Sequence, residues 1–271
     1  QPGRFMVTTE MKSTLRELTD HEPYRHDLFI ALVTPLGASR GQAVDALTSK
    51  LNAYGYDVEH VRLADLLDEV PGIASSPLPQ RSSRAYYLSR MNAGDSFRAK
   101  AGDDSALAAL AIARVSSLRE GRLKAEDPQP TVYVFDSLKH PREAALLQHV
   151  YGSGFWLVSL VQDLQERKQN LIDELSQQEG TAGNVPEAAA VELLSRDEAD
   201  PDSPHGQQVR DVFASADYFL AIRNGQDWRS EIDRLLEGIF AAPFISPHAH
   251  EEAMRLAHVA ALRSAAIERQ V

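Results

Sequence analysis

The six-residue apolar run Leu28-Phe29-Ile30-Ala31-Leu32-Val33, followed at once by Thr34-Pro35-Leu36-Gly37, constrains this chain more than any other stretch. An unbroken apolar segment this short, stopped by turn residues, suits a strand covered on both faces, the situation of a central strand in a parallel sheet. Beyond the turn, Val44, Leu47, Leu51 and Tyr54 recur at three- and four-residue steps, which predicts a helix ending at Gly55. A second strand is expected over 56–63. Residues 28–63 therefore read as a βαβ unit with its right-handed crossover.

The alternation continues along the chain. A loop rich in Pro, Gly and Ser covers 71–83. Helices are expected over 84–99 and 104–120, a strand over 131–136 that stops on Asp136, a helix over 142–151 and a strand over 155–161. A polar helix follows over 163–178, then a Gly- and Pro-containing loop over 180–186. The segment 195–206, dense in Asp, Pro and Gly, reads as irregular and mobile, leading into a helix over 207–215 and a last strand over 218–222. Five strands separated by helices predict an α/β fold built on a doubly wound, mainly parallel five-stranded sheet. Residues 1–27 are expected to form an N-terminal extension and 28–240 the α/β domain, with a helix over 226–240. A hinge over 241–247 and a terminal helix over 249–269 complete the chain, which contains no internal repeat.

Composition narrows the chemistry. With no cysteine in 271 residues, thiolate zinc sites, iron–sulfur ligation, disulfides and cysteine nucleophiles are all excluded. A formal charge of −11 argues against a surface that coats nucleic acid, while leaving room for a local basic cleft. No apolar stretch approaches the roughly 18–20 residues of a membrane span, and the N-terminus lacks the order of a secretory signal, so a cytoplasmic protein without a membrane partner is expected.

In a doubly wound sheet ligands sit beyond the carboxyl ends of the central strands, so the turn after the first strand is the first candidate site. The amides of a Gly-containing turn that opens a helix favour phosphate. Pro35, Gly37, Ala38, Ser39 and Arg40 are the candidate nucleotide-binding residues there. Set against G-x-x-x-x-G-K-[ST], however, Thr34 and Ser39 replace the two glycines, Arg40 replaces the lysine, and Gly41 stands where the magnesium-binding hydroxyl belongs. The pattern favours phosphate binding over phosphoryl transfer; a plain tight turn is the alternative. A second candidate is Asp136-Ser137-Leu138-Lys139-His140-Pro141, where Asp136, Lys139 and His140 sit at the carboxyl end of the third strand, a position suited to orienting water and phosphate. Here the alternative is that Asp136 caps the next helix and His140 packs against it. A third set, Arg167 with Lys168 and Arg196 with Asp197 and Arg210, suits a lid over phosphates or a solvated surface. His250-Glu251-Glu252, near His248, imitates the H-x-E of zinc deaminases but lacks the cysteine half of that site, so no metal is expected in this chain.

Several strings together resemble one family. They are Ala31-Leu32-Val33-Thr34-Pro35-Leu36-Gly37-Ala38, Asp136-Ser137-Leu138-Lys139-His140-Pro141 with Glu143, Val150-Tyr151-Gly152-Ser153-Gly154-Phe155, Ser195-Arg196-Asp197-Glu198, Gly206-Gln207-Gln208-Val209-Arg210-Asp211-Val212-Phe213, Glu252-Ala253-Met254 and Ala261-Leu262-Arg263-Ser264-Ala265 with Arg269-Gln270-Val271. The chain thereby resembles the N-terminal, P-loop-kinase-like module of bacterial anti-phage dCTP/dCMP deaminases, members of the cytidine/deoxycytidylate deaminase family. The resemblance implies a nucleotide-sensing domain followed by the first helix of a truncated deaminase domain, with catalytic zinc carried by the part beyond Val271. It further implies a parent hydrolase that removes the amino group of deoxycytidine nucleotides in antiviral defence, assembles as a homo-oligomer and is restrained by a small RNA. Two other readings stay open: a nucleoside or nucleotide kinase, and an oligomerisation scaffold using Leu256, Val259 and Leu262 of the terminal helix.

Overall fold

The computed structural model describes residues 26–73, 77–122, 124, 129–179, 185–200, 203–223, 228–240 and 245–266. Five strands, β1 (Leu28–Val33), β2 (Asp57–Arg62), β3 (Thr131–Asp136), β4 (Phe155–Val161) and β5 (Tyr218–Ala221), form one sheet in the order β2-β3-β1-β4-β5. Every neighbouring pair is parallel. The fold is thus an α/β fold with an all-parallel five-stranded sheet, and the expected strand positions hold to within a residue or two at either end. The apolar run Leu28-Val33 lies at the centre of the sheet.

Both faces of that sheet are covered. Phe29, Ala31 and Val33 of β1 join Tyr133, Phe135, Phe155 and Leu157 in one apolar cluster. Because strand side chains alternate, Ile30, Leu32, Val132, Val134, Val158 and Leu160 point to the opposite face, and all are buried too. Phe29 stacks on Tyr151 and Tyr133, with ring centroids 3.7 and 5.5 Å apart, tying β1 to its neighbours. The helices are α1 (Arg40–Ala53), the short α2 (Leu63–Leu66), α3 (Arg84–Ala101), α4 (Ala106–Arg122), α5 (Pro141–Tyr151), α6 (Leu164–Glu179), α7 (Val185–Glu198) and α8 (Val209–Ala214). Ser83 accepts the Tyr86 N–H and starts α3, which Gly102 ends in the left-handed conformation.

Helix α7 corrects the expectation of an irregular segment from 195 onward: Ser195–Glu198 are its last turn, and Asp197 is buried. The sequence disguised it in two ways. Pro186 falls in the first turn, where a helix tolerates proline, and the polar residues at its end look like a loop until packing supplies their partners. Its inner face, Ala189, Ala190 and Leu193, forms a second apolar cluster with Met91, Leu171 and Leu175 of α3 and α6. Residues 201–202 of the expected irregular segment, and 180–184 of the loop before α7, lie outside the described residues.

The chain divides into two compact units, with the break between Trp228 and Arg229. The second unit holds α9 (Arg229–Ile239) and α10 (Ala249–Ala266). Glu251 there accepts the Arg234 guanidinium and the His248 N–H at 2.7 Å. Met254, Leu256, Val259 and Leu262 of α10 are exposed. Most of the expected hinge, 241–244, the extension 1–25 and the last residues, 267–271, lie outside the described residues. Among the described residues, no helix is long and apolar enough to cross a membrane.

Candidate functional site

A cleft of about 570 Å³ opens at the carboxyl ends of β1, β2 and β3. Each of these strands delivers a polar residue at its end. β2 ends on Arg62 and β3 on Asp136, which are register partners, while Thr34 directly follows β1. Asp136 is 4% exposed, and one carboxylate oxygen takes the Arg40 Nη1 at 2.9 Å with Arg62 Nε 3.9 Å away. Its other oxygen, the Thr34 hydroxyl and Arg62 Nε are buried without a hydrogen-bond partner. Three unsatisfied polar atoms gathered at adjacent strand ends are costly unless something fills the space they face.

Further guanidinium groups and phenols line the cleft. Arg81 lines the cleft and has no ion-pair partner among the described residues. Tyr86 and Tyr87, on the first turn of α3, line it too. Burial, with Glu174 nearby, pushes the Tyr87 phenol above its ordinary range, so that it remains a neutral donor. Arg90 is spoken for, gripping Asp68 with two nitrogens.

The turn after β1 is held from several sides. Ala38 N–H closes it onto Pro35 C=O at 3.1 Å. Thr34 N–H donates to Ser137 Oγ at 3.1 Å, Leu36 N–H to Asp197 Oδ2 at 2.7 Å and Ser39 N–H to Gln162 Oε1 at 2.8 Å. Asn170 Nδ2 donates to Gly37 C=O at 2.9 Å. A side chain of α7 and those of the segments preceding α5 and α6 therefore already occupy backbone donors that a phosphate would use. Pro35, Gly37, Ala38, Ser39 and Arg40 all line the cleft, as do Asp136 and Lys139.

Three expected site residues lie elsewhere. His140 does not line the cleft. It caps α5, its Nδ1 accepting the Arg142 N–H at 3.2 Å while Glu143 accepts the His140 N–H at 3.2 Å. The cap is thus His140 and not Asp136. Arg167 donates to Leu36 C=O at 3.4 Å from behind the turn, and Arg196 pairs with Asp95 and Asp200 at 2.8 Å each. Lys168 pairs with Glu187 and Arg210 with Glu198, so these two and Arg196 are joined to acids on α3, on α7 or just beyond it. Of the expected lid residues only Asp197 reaches the cleft. The sequence reading does not single out Arg62, Arg81, Tyr86 and Tyr87, which line the cleft. The rule that pointed to the end of the third strand would have found Arg62 at the end of the second, but nothing local marks the other three. Among the described residues, no group of three or more His, Asp or Glu side chains could hold a metal ion.

Burial depresses the His140 imidazole pKa more than Asp104 raises it. The folded state then prefers neutral histidine, so this contribution to stability is complete above the ordinary histidine range and is lost as pH falls toward the depressed value. Between pH 7 and pH 5 the thermal midpoint of the wild type should fall more steeply than that of His140→Asn, which keeps a capping acceptor but cannot titrate. Parallel profiles would refute this.

No protein-family model and no curated protein matches the chain significantly. Solved structures do. Shikimate kinase from Acinetobacter baumannii in complex with shikimate is 14% identical over 82% of this chain and 98% of its own, with a TM-score of 0.40. A gluconokinase from Sinorhizobium meliloti 1021 is 11% identical over 82% of this chain and 100% of its own, with a TM-score of 0.35. Likeness at this level carries no weight for site or activity; the fold rests on the sheet itself.

Proposed function

We propose that the cleft binds a nucleotide and that this domain senses it without transferring phosphate. The observation that carries the reading is the convergence of Arg40, Arg62 and Arg81 with Tyr86 and Tyr87 around unsatisfied polar atoms at the strand ends. Guanidinium forks suit phosphate oxygens, and phenol rings suit a base. Gly41 leaves no hydroxyl where the phosphate-loop pattern needs one for magnesium, and Arg40 is tied to Asp136 in place of a free lysine. Following the family resemblance, the ligand would be a deoxycytidine nucleotide. The domain would then regulate a cytoplasmic, zinc-dependent deoxycytidylate deaminase in antiviral defence, its zinc lying in the deaminase part.

Calorimetry with deoxycytidine mono- and triphosphate and with ATP, with and without magnesium, tests this. Binding with no ADP formed is expected. Arg62→Ala and Arg81→Ala should each weaken binding about tenfold, the loss of one charge-assisted contact. Absence of binding, unchanged affinity in both variants, or turnover of ATP onto a nucleoside would overturn the reading.

A further inference from the structure

The turn after β1 already holds an anion, and it belongs to the protein. Asp197 Oδ2 accepts the Leu36 N–H at 2.7 Å, and Asp197 Oδ1 accepts Lys139 Nζ at 2.7 Å. Lys139 Nζ also donates to Thr34 C=O at 2.9 Å, which fixes the ammonium against the turn. A backbone amide of a strand-to-helix turn together with a lysine ammonium is the donor pair that a phosphoryl group would take. The carboxylate is almost fully enclosed, at 3% side-chain exposure. A phosphate entering the turn must either expel it, breaking both bonds, or lie beside it as a like charge in a place where screening is weak.

Charge around the rest of the cleft points the same way. Six basic side chains line it, Arg40, Arg62, Arg81, Arg90, Arg98 and Lys139, with four acidic ones, Asp136, Glu143, Glu174 and Asp197, while Asp65, Asp68 and Asp95 pair with Arg62, Arg90 and Arg98 from outside the lining. Of the basic side chains, Arg81 has no ion-pair partner among the described residues, and Arg62 Nε makes no hydrogen bond, with Asp65 and Asp136 at 3.2 and 3.9 Å from the guanidinium. Arg81 and the free Nε of Arg62 suit a single phosphomonoester; a triphosphate brings more charge and needs a second anchoring place, which Asp197 fills. We infer that Asp197 is a specificity-determining residue, a built-in phosphate surrogate that restricts this cleft to ligands with one phosphate, bound at Arg62 and Arg81. The inference deepens the nucleotide-binding reading and rests on it.

The test compares wild type with Asp197→Asn, which keeps an acceptor for Leu36 N–H while releasing Lys139, using deoxycytidine mono- and triphosphate and inorganic tripolyphosphate in calorimetry. Wild type should bind the monophosphate at least tenfold more tightly than the triphosphate. Asp197→Asn should gain tenfold or more for the triphosphate and change less than threefold for the monophosphate. Equal or tighter triphosphate binding by wild type overturns the inference, as does a variant that strengthens both ligands alike. If neither nucleotide binds either protein, the nucleotide reading fails. Tripolyphosphate then decides the role of Asp197 separately: binding to the variant alone sustains it, and binding to both or to neither overturns it. Should Asp197→Asn fail to fold, the wild-type preference is decisive on its own.

Discussion

Replacing Arg98 by methionine is expected to cost the sheet-bearing unit about 3–5 kcal/mol at neutral pH, the usual penalty for stripping one partner from a buried ion pair. Arg98 is 1% exposed, yet it lies among apolar neighbours on α3, and every nitrogen has an acceptor: Nε on His205 C=O at 2.7 Å, Nη1 on Glu143 at 3.1 Å and Nη2 on Asp95 at 2.9 Å. Glu143 is fully buried and also accepts the Lys139 and His140 N–H groups. Removing the guanidinium leaves that carboxylate with amide donors alone. The damage reaches the site, because Glu143 and Lys139 both line the cleft.

The pH dependence of this loss has a definite sign. Burial already raises the Glu143 pKa, and Arg98 is the strongest influence pulling it back. Without Arg98 the folded-state value rises further, so the folded variant favours the protonated acid more than the unfolded chain does. A raised folded value gives stability that is present below the ordinary carboxylate range and is lost as pH climbs from there through the raised value. The deficit of Arg98→Met relative to wild type should therefore be smaller at pH 5 than at pH 7 in urea unfolding, and a deficit independent of pH would show that Glu143 finds another counter-charge. Glu143→Gln, which keeps an acceptor for the amides, should flatten the difference between the two pH values.

Which parts of this molecule can be read from its sequence follows from the range of the interactions. β1, β3 and β4 announce themselves because each is a run of apolar residues covered on both faces, a property of adjacent residues. The turn after β1 and Asp136 at the end of β3 were legible for the same reason, since a sheet exposes its strand ends. Helix α7 was not, because its polar last turn is satisfied by Asp95 and Lys139, which lie far off in sequence. The fate of the turn was illegible too. Leu36 and Asp197 are 161 residues apart and Ser39 and Gln162 are 123 apart, so no local pattern shows that the amides of a phosphate-loop-like turn are already taken. Arg167 and Arg196 looked like ligand-binding cations for the mirror-image reason: composition shows a charge, but only packing shows its partner.

Gly37→Ala is expected to cost about 2–3 kcal/mol and to disable the cleft, through two costs that add. Gly37 has φ +77°, where an L side chain is strained. A Cβ there would also lie 2.2 Å from the Arg167 carbonyl oxygen and 2.9 Å from its carbon, and backbone of α6 cannot swing aside as the end of a side chain can. The turn must move away from α6, and with it go the Asn170 bond to Gly37 C=O and the seating of Leu36 in the cluster of α3, α6 and α7. Four residues on, Gly41 offers the matched control. It sits in the first turn of α1 and a Cβ there meets nothing within 4 Å, so Gly41→Ala should be neutral or stabilising by about 0.5–1 kcal/mol. Thermal unfolding separates the pair, and calorimetry assigns the consequence. If the turn serves ligand binding as a wall whose position matters, Gly37→Ala loses nucleotide affinity while the folded fraction at the assay temperature stays high, and Gly41→Ala retains it. Equal affinity in both variants would mean that the ligand is held by the arginine wall alone and that the turn after β1 is only a packing element between β1 and α6.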